Sequence, residues 1–167
     1  MGLTRPGQQS GRGPDADQYI EQVACIGGSR CWGIGAYTHG STHASANAIL
    51  RWNGKRWTLA KAPQPGGNEN ELWGIDCTAP SACWAVGQRN NSAGATLNEA
   101  LRWNGKSWKL VKTPQPGGTT VSGEQSVLYS VSCTSLTFCT SVGYIQNSAH
   151  QSLNQVLGWN GEKWKRN

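Results

Sequence analysis

The sequence predicts an all-β fold built from three tandem copies of one four-stranded antiparallel unit. Two observations support this: landmarks that recur at a nearly constant spacing, and a composition rich in turn-forming residues. The 167 residues include 22 Gly and 7 Pro, nine Trp, and only one Met and one Phe. Short apolar runs punctuated by Gly and Pro are typical of strands joined by turns, and indole rings must supply much of the apolar area.

The repeat is defined by cysteine pairs and a tryptophan-rich phrase. Cys25, Cys77 and Cys133 each open a Cys-x5-Cys pair, and a glycine follows four residues after each second cysteine. The phrase Asn-x-x-Leu-x-Trp-Asn-Gly-x-x-Trp then recurs at residues 47–57, 98–108 and 154–164. Such self-similarity indicates an array of supersecondary units. The predicted organisation is a disordered leader at 1–17 and repeats at 18–69, 70–125 and 126–167.

The second copy shows the four predicted strands most clearly. The first is LWGIDCT, in which strict alternation places Trp73, Ile75 and Cys77 on one face. The second is CWAVGQ, beginning at Cys83. The third is ALRWNG, and its terminal Asn104-Gly105 is a strong hairpin signal that leads into the fourth strand, KSWKLVK. Tight turns between the strands make an antiparallel meander, and Pro-Gln-Pro-Gly-Gly linkers end the first two copies.

The paired cysteines are predicted to form three local disulfides. Residues six apart across a tight turn can lie opposite each other in a hairpin, at a distance that a disulfide can span. The alternative is a metal site, but each pair supplies only two thiolates and no further His or Cys pair recurs beside it. Because disulfides persist in oxidising compartments, we expect a secreted protein. The predicted pairs are Cys25 with Cys31, Cys77 with Cys83, and Cys133 with Cys139.

The size of the repeat suggests how the units pack. A two-faced, four-stranded meander of roughly fifty residues is typical of a β-propeller blade. Three blades leave two Trp-rich faces in water, which favours completion by oligomerisation, most simply as a homodimer that forms a six-bladed ring. The alternative is a β-trefoil, which closes three four-stranded units in one chain, although the Gln-x-Trp triplet typical of trefoils is absent.

The phrases at residues 72–87 and 98–118 resemble the repeats of secreted β-propeller-like proteins of soil bacteria. This resemblance covers residues 20–167 and implies the same blade architecture. The Trp-Asn-Gly-x-x-Trp phrase is also similar to the Trp-Asp-Gly-x-x-Trp phrase of small propeller lectins that assemble from short chains. The copies are not identical, since Thr140 stands where the other copies have tryptophan, and Glu21 stands where they have an aromatic residue.

The polar residues do not indicate an enzyme or a cofactor. An active site needs a nucleophile with a base, paired carboxylates or a metal cluster, and none of the nine acidic residues occupies a position that recurs in all three copies. The three histidines, His39, His43 and His150, could form a metal site across an assembly, but we interpret them as surface loop residues. We therefore predict no catalytic residue, metal or cofactor.

Nucleic acids and membranes are not expected partners. The net charge is +6, and many Lys and Arg lie in the Trp-Asn-Gly phrases. Basic side chains interleaved with aromatic rings can track phosphates and stack on bases. The preferred interpretation is that these cations line outer strands, where they prevent edge-to-edge aggregation. No window of eighteen apolar residues predicts a membrane span.

Carbohydrate binding is the preferred function. Flat rings can stack on sugar faces, while Asn amides both donate and accept hydrogen bonds. The six tryptophans of the repeated phrase can equally be core residues, and its asparagines can bond neighbouring backbone. The alternatives are a protein-interaction scaffold without sugar preference and a non-catalytic fragment of a secreted enzyme. The predicted ligand-binding residues are Trp32, Trp73, Trp84, Tyr129, Asn47, Asn98, Asn154, Arg51 and Arg102.

Overall fold

The computed structural model describes residues 17–39 and 44–167, which form twelve strands and no helix. The predicted all-β class with antiparallel sheets is confirmed. The predicted leader lies outside the described residues except for residue 17, and so does His43. The strands are β1 (Gln18–Cys25), β2 (Cys31–His39), β3 (Ala44–Trp52), β4 (Trp57–Leu59), β5 (Asn70–Ala79), β6 (Ala82–Asn90), β7 (Thr96–Trp103), β8 (Trp108–Leu110), β9 (Gln125–Ser135), β10 (Phe138–Gln146), β11 (Ser152–Trp159) and β12 (Trp164–Arg166).

Each set of four consecutive strands pairs in chain order as an antiparallel meander. We call β1–β4 unit 1, β5–β8 unit 2 and β9–β12 unit 3. Units 2 and 3 share one parallel residue pair, Thr96 with Gln125. Neither sheet closes on itself among the described residues, so the closed barrel of the alternative β-trefoil is not seen in these pairings.

The three sheets pack face to face in chain order, with their first strands together. The first strand of unit 2, β5, contacts both β1 and β9, so the first strands of the three units lie side by side at the inner edge. The fourth strands, β4, β8 and β12, have three residues each and form the outer edge. Each sheet therefore turns one face to the preceding unit, which we call its front face, and the other to the following unit, which we call its back face.

The hydrophobic core consists of two layers between successive sheets. In the first, Trp32, Ile34 and Ile49 from the back face of unit 1 pack against the front face of unit 2, where Trp103 and Trp108 lie. In the second layer the same positions recur: the back face of unit 2 packs on the front face of unit 3. The residues of this second layer include Trp84, Val86, Ala100, Leu128, Val131, Leu157, Trp159 and Trp164. Unit 2 is thus buried on both faces.

The glycine that follows each cysteine pair is required by close backbone contact. A Cβ atom at Gly87 would lie 1.9 Å from the carbonyl oxygen of Glu71, and Gly35 and Gly143 meet the same contact in their units. The contact arises because the first strand bulges beside this glycine, with the register shifting between Leu72 and Gly74. The bulge leaves Trp73 without a partner in the ladder.

The bulge also changes which face Trp73 occupies. Alternation predicted that Trp73, Ile75 and Cys77 share one face. Ile75 lies in the layer against unit 1, whereas the ring of Trp73 contacts Tyr129 of unit 3. The prediction for Trp73 is therefore wrong, because one extra residue in a strand reverses the alternation of the side chains before it.

The hairpins and cysteine pairs form as the sequence predicts. In the second unit, the Asn104 Oδ1 atom accepts hydrogen bonds from the backbone N–H groups of Lys106 and Ser107, and Gly105 has φ = 91°. All six cysteines lie in the described part of the chain, and each Cys-x5-Cys pair is a disulfide with Cα atoms about 4 Å apart. Three disulfides are consistent with an extracellular protein.

Candidate functional site

A cleft of about 450 Å³ lies between units 1 and 2. Its walls are three indole rings, Trp32 from the back face of unit 1 and Trp103 and Trp108 from the front face of unit 2. Residues 60–63, where the chain leaves β4 towards the next unit, form another side. The outer strands β4 and β8 have only three residues each, and the linker after β4 borders the cleft beside them.

The three indoles of the cleft hold one another in place. The Trp32 ring centroid lies 4.7 Å from that of Trp103 and 5.3 Å from that of Trp108, and the second pair is edge-to-face with an interplanar angle of 85°. Aromatic pairs at these separations stabilise a packed arrangement beyond the effect of area alone. All three side chains are more than nine-tenths buried, so the walls are rigid and expose only a small part of each ring.

In each of the two layers, one buried indole N–H group of the following unit has no hydrogen-bond partner among the described residues. The Nε1 atoms of Trp103 and Trp159 each donate to a backbone carbonyl at 3.2 Å, on Pro80 and Leu136 respectively. The Nε1 atoms of Trp108 and Trp164 are buried without a partner among the described residues. The indole N–H groups of the two layers therefore follow the same pattern, with one bonded to a backbone carbonyl and one without a partner among the described residues.

Three of the polar side chains that line the first cleft are cationic. The Cζ atom of Arg51 lies 5.6 Å from the ring centroid of Trp32, as a cation–π contact requires. Arg51 reaches this position because it pairs directly with Trp32 in the β2–β3 ladder. Lys61, Lys106 and Ser107 also line the cleft. The lining groups therefore donate hydrogen bonds and favour ligands rich in oxygen acceptors.

The second layer repeats this arrangement. The ring of Trp84 lies 4.8 Å from that of Trp159 and 5.1 Å from that of Trp164, the latter at 79°. The Arg102 Cζ atom lies 5.6 Å from the Trp84 centroid and 5.4 Å from that of Trp159. The predicted site residues Trp32 and Arg51, and Trp84 and Arg102, are thus brought together as two equivalent pairs.

The second layer differs from the first in charge. Glu162 occupies the repeat position that Lys106 holds in the first. A carboxylate accepts hydrogen bonds, whereas an ammonium group only donates them. If both layers bind ligands, the side chain at this position is expected to donate a hydrogen bond to the ligand in the first layer and to accept one in the second.

The predicted ligand-binding residues Trp32 and Trp84 expose little of their rings. Both are nearly buried, together with the tryptophans of the repeated phrase in units 2 and 3. In unit 1, by contrast, Trp52 and Trp57 are only partly buried, because no unit covers the front face of unit 1 among the described residues. Sequence position within the repeat therefore did not decide burial; the position of the unit in the array did.

The repeated asparagines connect one unit to the next. The Nδ2 atom of Asn47 donates to the Pro63 carbonyl oxygen at 3.0 Å and to Glu99 Oε1 at 2.6 Å. The corresponding Asn98 Nδ2 atom donates to the carbonyl oxygen of Pro114 at 2.8 Å and to Gln155 Oε1 at 3.0 Å. Asn154, in unit 3, is exposed. None of the three asparagines is among the residues that line the first cleft.

Glu99 is a fully buried carboxyl group and was not among the predicted site residues. Burial raises the pKa of Glu99 to about 8, against the opposing effects of the hydrogen bond from Asn47 and the charge of Arg89. Its Oε2 atom and the Oδ1 atom of Asn47 both lack a partner among the described residues. In the other layer, Gln155 Nε2 donates to Asn98 Oδ1 at 2.9 Å. A proton on Glu99 Oε2 would make the equivalent bond to Asn47.

The signal for this pair was present in the sequence. Glu99 and Gln155 each follow the repeated asparagine directly, whereas Ala48 follows it in the first copy. The difference is explained by position: only the units with a preceding neighbour contribute a side chain here to bond that neighbour's asparagine.

A separate aromatic patch lies at the inner edge of units 2 and 3. The rings of Trp73 and Tyr129 meet edge-to-face with centroids 5.8 Å apart, and those of Tyr129 and Tyr144 stack at 5.8 Å. Tyr129 is half exposed. The predicted site residues Trp73 and Tyr129 are therefore brought together, away from the cleft. Glu21, the exposed counterpart in unit 1, has no aromatic ring to extend the patch.

Within residues 17–39 and 44–167, no group of three or more His, Cys, Asp or Glu side chains is placed to hold a metal ion. The side chain of His39 is not described, and His150 adopts a left-handed backbone conformation with φ = 59°. In the same part of the chain, no helix has the length and apolarity needed to cross a lipid bilayer.

Comparison with known proteins relates the chain to a lectin by structure only. No protein-family model matches the sequence, and no curated protein matches it significantly. Among solved structures, a fucose lectin from Kordia zhangzhouensis, determined in complex with methyl-fucoside, superposes with a TM-score of 0.51 at 10% sequence identity. The match covers 87% of this chain and 97% of the lectin chain. The chain therefore shares the fold of this fucose lectin.

Proposed function

We propose that the protein is a non-catalytic glycan-binding protein whose sites are the clefts between successive units. The observation that carries this proposal is the cleft between units 1 and 2, with three indole walls and the Arg51 guanidinium at its edge. The same indole and arginine arrangement recurs between units 2 and 3. On this view the three units are blades of a β-propeller-like array.

The chemistry of the cleft suits a sugar ring. A pyranose has apolar C–H groups, which can pack against the parts of the three indoles that the cleft leaves exposed, and a rim of hydroxyl groups, which need polar partners. Arg51, Lys61 and Lys106 supply donors at the cleft. A volume of about 450 Å³ lies within the range of small-ligand sites.

The recurrence of the indole and arginine cluster between units 2 and 3 favours a lectin with more than one site over a binder of a single small molecule. The cleft between units 1 and 2 is partly open, so it is expected to bind one sugar weakly. Linked sites raise the overall affinity for a surface that presents many copies of the sugar. The three disulfides support action outside the cell, where such glycan surfaces occur.

Methyl-fucoside is the first probe, because it is the ligand in the structurally similar lectin. Titration calorimetry with methyl-fucoside, beside a glycan array of the full chain, tests the proposal directly. Arg51→Ala and Lys106→Ala are expected to weaken binding of the array's best sugar at least tenfold at the first cleft. Both side chains contact solvent at the cleft, so the fold is expected to tolerate the changes.

Lys55→Ala is the matched control. Lys55 occupies in unit 1 the repeat position of Lys106, but it does not line the cleft, so its loss should leave the affinity unchanged. Equal losses for Lys55→Ala and Lys106→Ala would show that binding follows overall charge and would contradict the cleft assignment. A glycan array that stays silent at high protein concentration would instead favour a protein-interaction scaffold.

Tyr129→Ala separates the cleft from the aromatic patch. Tyr129 is half exposed and is not among the residues that line the first cleft. If Tyr129→Ala abolishes sugar binding while Arg51→Ala does not, the patch around Trp73 is the binding site and the proposal for the cleft fails.

A further inference from the structure

The front face of unit 1 exposes residues that the other units bury. Ile20 is 42% exposed and Val23 is 49% exposed. Their counterparts, at most 5% exposed, are Leu72, Ile75, Leu128 and Val131. Since the counterparts are buried only because another sheet covers them, unit 1 presents a core-type surface with nothing on it among the described residues.

This face also carries a preformed pocket. A cavity of about 300 Å³ is lined by Ile20, Val23, Leu50 and Trp57. The rings of Trp52 and Trp57 lie 5.6 Å apart at 45°, and Trp103 and Trp108 of unit 2 show nearly the same geometry at 5.9 Å and 45°. In unit 2 this pair contacts Trp32 of the preceding sheet. Unit 1 is therefore already shaped to receive the back face of another unit.

The back face of unit 3 is exposed in the complementary way. Val142 is 44% exposed and Val156 is 37% exposed. The residues at these positions in units 1 and 2, all with 0% exposure, are Ile34, Ile49, Val86 and Ala100. Each chain thus carries one uncovered front face and one uncovered back face, the two partners of the interface that it forms internally twice.

We propose that a second copy of this chain docks the back face of its unit 3 on the front face of unit 1. The contact would reproduce the sheet-on-sheet packing of the two internal layers. Because each copy carries both faces, the second copy offers its own front face in return, and two equivalent contacts close two copies into one ring. Both exposed apolar faces are then removed from water.

Charge at the two faces fits this pairing. Lys55 and Arg56 are exposed in the hairpin between β3 and β4. They hold the repeat positions of Lys106 and Ser107, which line the cleft against the preceding unit. In units 1 and 2 the back face carries Arg51 and Arg102, but unit 3 has Gly158 at that position. The cation that would oppose Lys55 and Arg56 across the new contact is therefore missing.

The contact between copies is expected to be weaker than the internal layers. Thr140 replaces the indole of Trp32 and Trp84, which leaves the pocket beside Trp57 only partly filled. Ala48 stands where units 2 and 3 have Glu99 and Gln155, so Asn154 gains no hydrogen bond from it. We expect a dimer that dissociates on dilution, because the core of the contact lacks its largest ring.

Sedimentation equilibrium of the full chain over a range of concentrations tests the proposal. The expected mass at high concentration is twice the 17.9 kDa of one chain. Val23→Lys on the front face and Val156→Lys on the back face are each expected to yield single chains. An equimolar mixture of the two variants should regain the dimer mass, because one intact front face and one intact back face are then present.

Two further variants test whether Thr140 lies in the contact and whether the effect of a lysine is specific to the two docking faces. Thr140→Trp restores the indole that the internal layers contain and is expected to lower the dissociation constant at least tenfold. Leu110→Lys is the control, since Leu110 is 43% exposed but lies on the outer strand of unit 2, and its dimer should be unchanged. Near-ultraviolet circular dichroism should show intact tryptophan packing in every variant.

Two results would overturn the proposal. One is the mass of a single chain at all concentrations for both the natural sequence and Thr140→Trp. The other is a dimer that Val23→Lys disrupts and Val156→Lys does not, since this means that two front faces meet. The clefts for sugars lie within one chain, so loss of the dimer leaves the monovalent affinity for sugar unchanged and the two proposals fail separately.

Discussion

The buried carboxyl group of Glu99 is expected to make the stability of the protein depend on pH. In the unfolded chain Glu99 ionises near its ordinary pKa of 4.5, whereas burial raises the pKa to about 8 in the folded state. Between these values the folded state holds a proton that the unfolded state has lost. The contribution of protonated Glu99 to the free energy of unfolding is therefore complete below pH 4.5, and it is lost as the pH rises towards 8.

The size of this effect follows from the shift. Each pH unit between the two pKa values costs about 1.4 kcal/mol, so the cost at pH 7 is about 3 kcal/mol. Glu99→Gln removes the ionisable group while keeping the bond to Asn47, as Gln155 does for Asn98 in the other layer. We expect Glu99→Gln to stabilise the fold by about 3 kcal/mol at pH 7 and to change little at pH 4.

Urea unfolding at pH 4, 5.5, 7 and 8.5, followed by tryptophan fluorescence, measures this difference. The matched variant is Gln155→Glu, which places a carboxyl group in the equivalent position. It should destabilise the fold more at pH 7 than at pH 4, although some loss remains at pH 4 because a protonated carboxyl group has one donor where the amide bonds Asn98 and the carbonyl oxygens of Val127 and Tyr144. A stability difference between Glu99→Gln and the natural sequence that stays constant from pH 4 to 8.5 would refute the reasoning, because it would show that Glu99 does not change its ionisation on folding.

Two further predictions concern the repeated asparagine and glycine, and both are checked by chemical denaturation. Asn98→Ala should lower the free energy of unfolding by about 1–3 kcal/mol, because the buried amide of Gln155 loses its two hydrogen bonds with Asn98. Asn154→Ala, at an exposed site, should change it by less than about 0.5 kcal/mol. Equal effects would contradict the inter-unit role of the asparagine. Gly87→Ala should be strongly destabilising, because its Cβ atom would lie 1.9 Å from the Glu71 carbonyl oxygen. Gly28→Ala is the control and should be tolerated, because a Cβ atom there would meet no atom within 4 Å. A tolerated Gly87→Ala would mean that the strand bulge adapts.

The local structure was predictable where short-range chemistry decides it. The Cys-x5-Cys spacing predicted the disulfides because a tight hairpin leaves the two cysteines opposite each other. Asn104-Gly105 predicted its turn because Gly105 tolerates a positive φ and Asn104 caps the following N–H groups. Strand alternation failed at Trp73, because a bulge depends on the neighbouring Gly87 and not on the strand's own sequence.

The site was predictable only in part. The sequence placed Trp32, Trp84, Arg51 and Arg102 among candidate binding residues, and the structure brings them together in pairs. It did not show that Trp108 completes the cleft, since that residue belongs to the following unit. Glu99 was missed because its environment is created by Asn47, some fifty residues earlier in the chain.

The amino-acid sequence by itself determined the repeat, the antiparallel strands, the turns and the disulfides, because these depend on residues close together in the chain. Only the tertiary structure decided which tryptophans are buried, what the repeated asparagines bond, and where a cleft opens. These features arise between units, and the same residue has a different environment depending on whether a sheet precedes or follows it. Trp57 and Trp108 show this directly: they occupy one position in the repeat, yet among the described residues only Trp108 is covered by a preceding sheet.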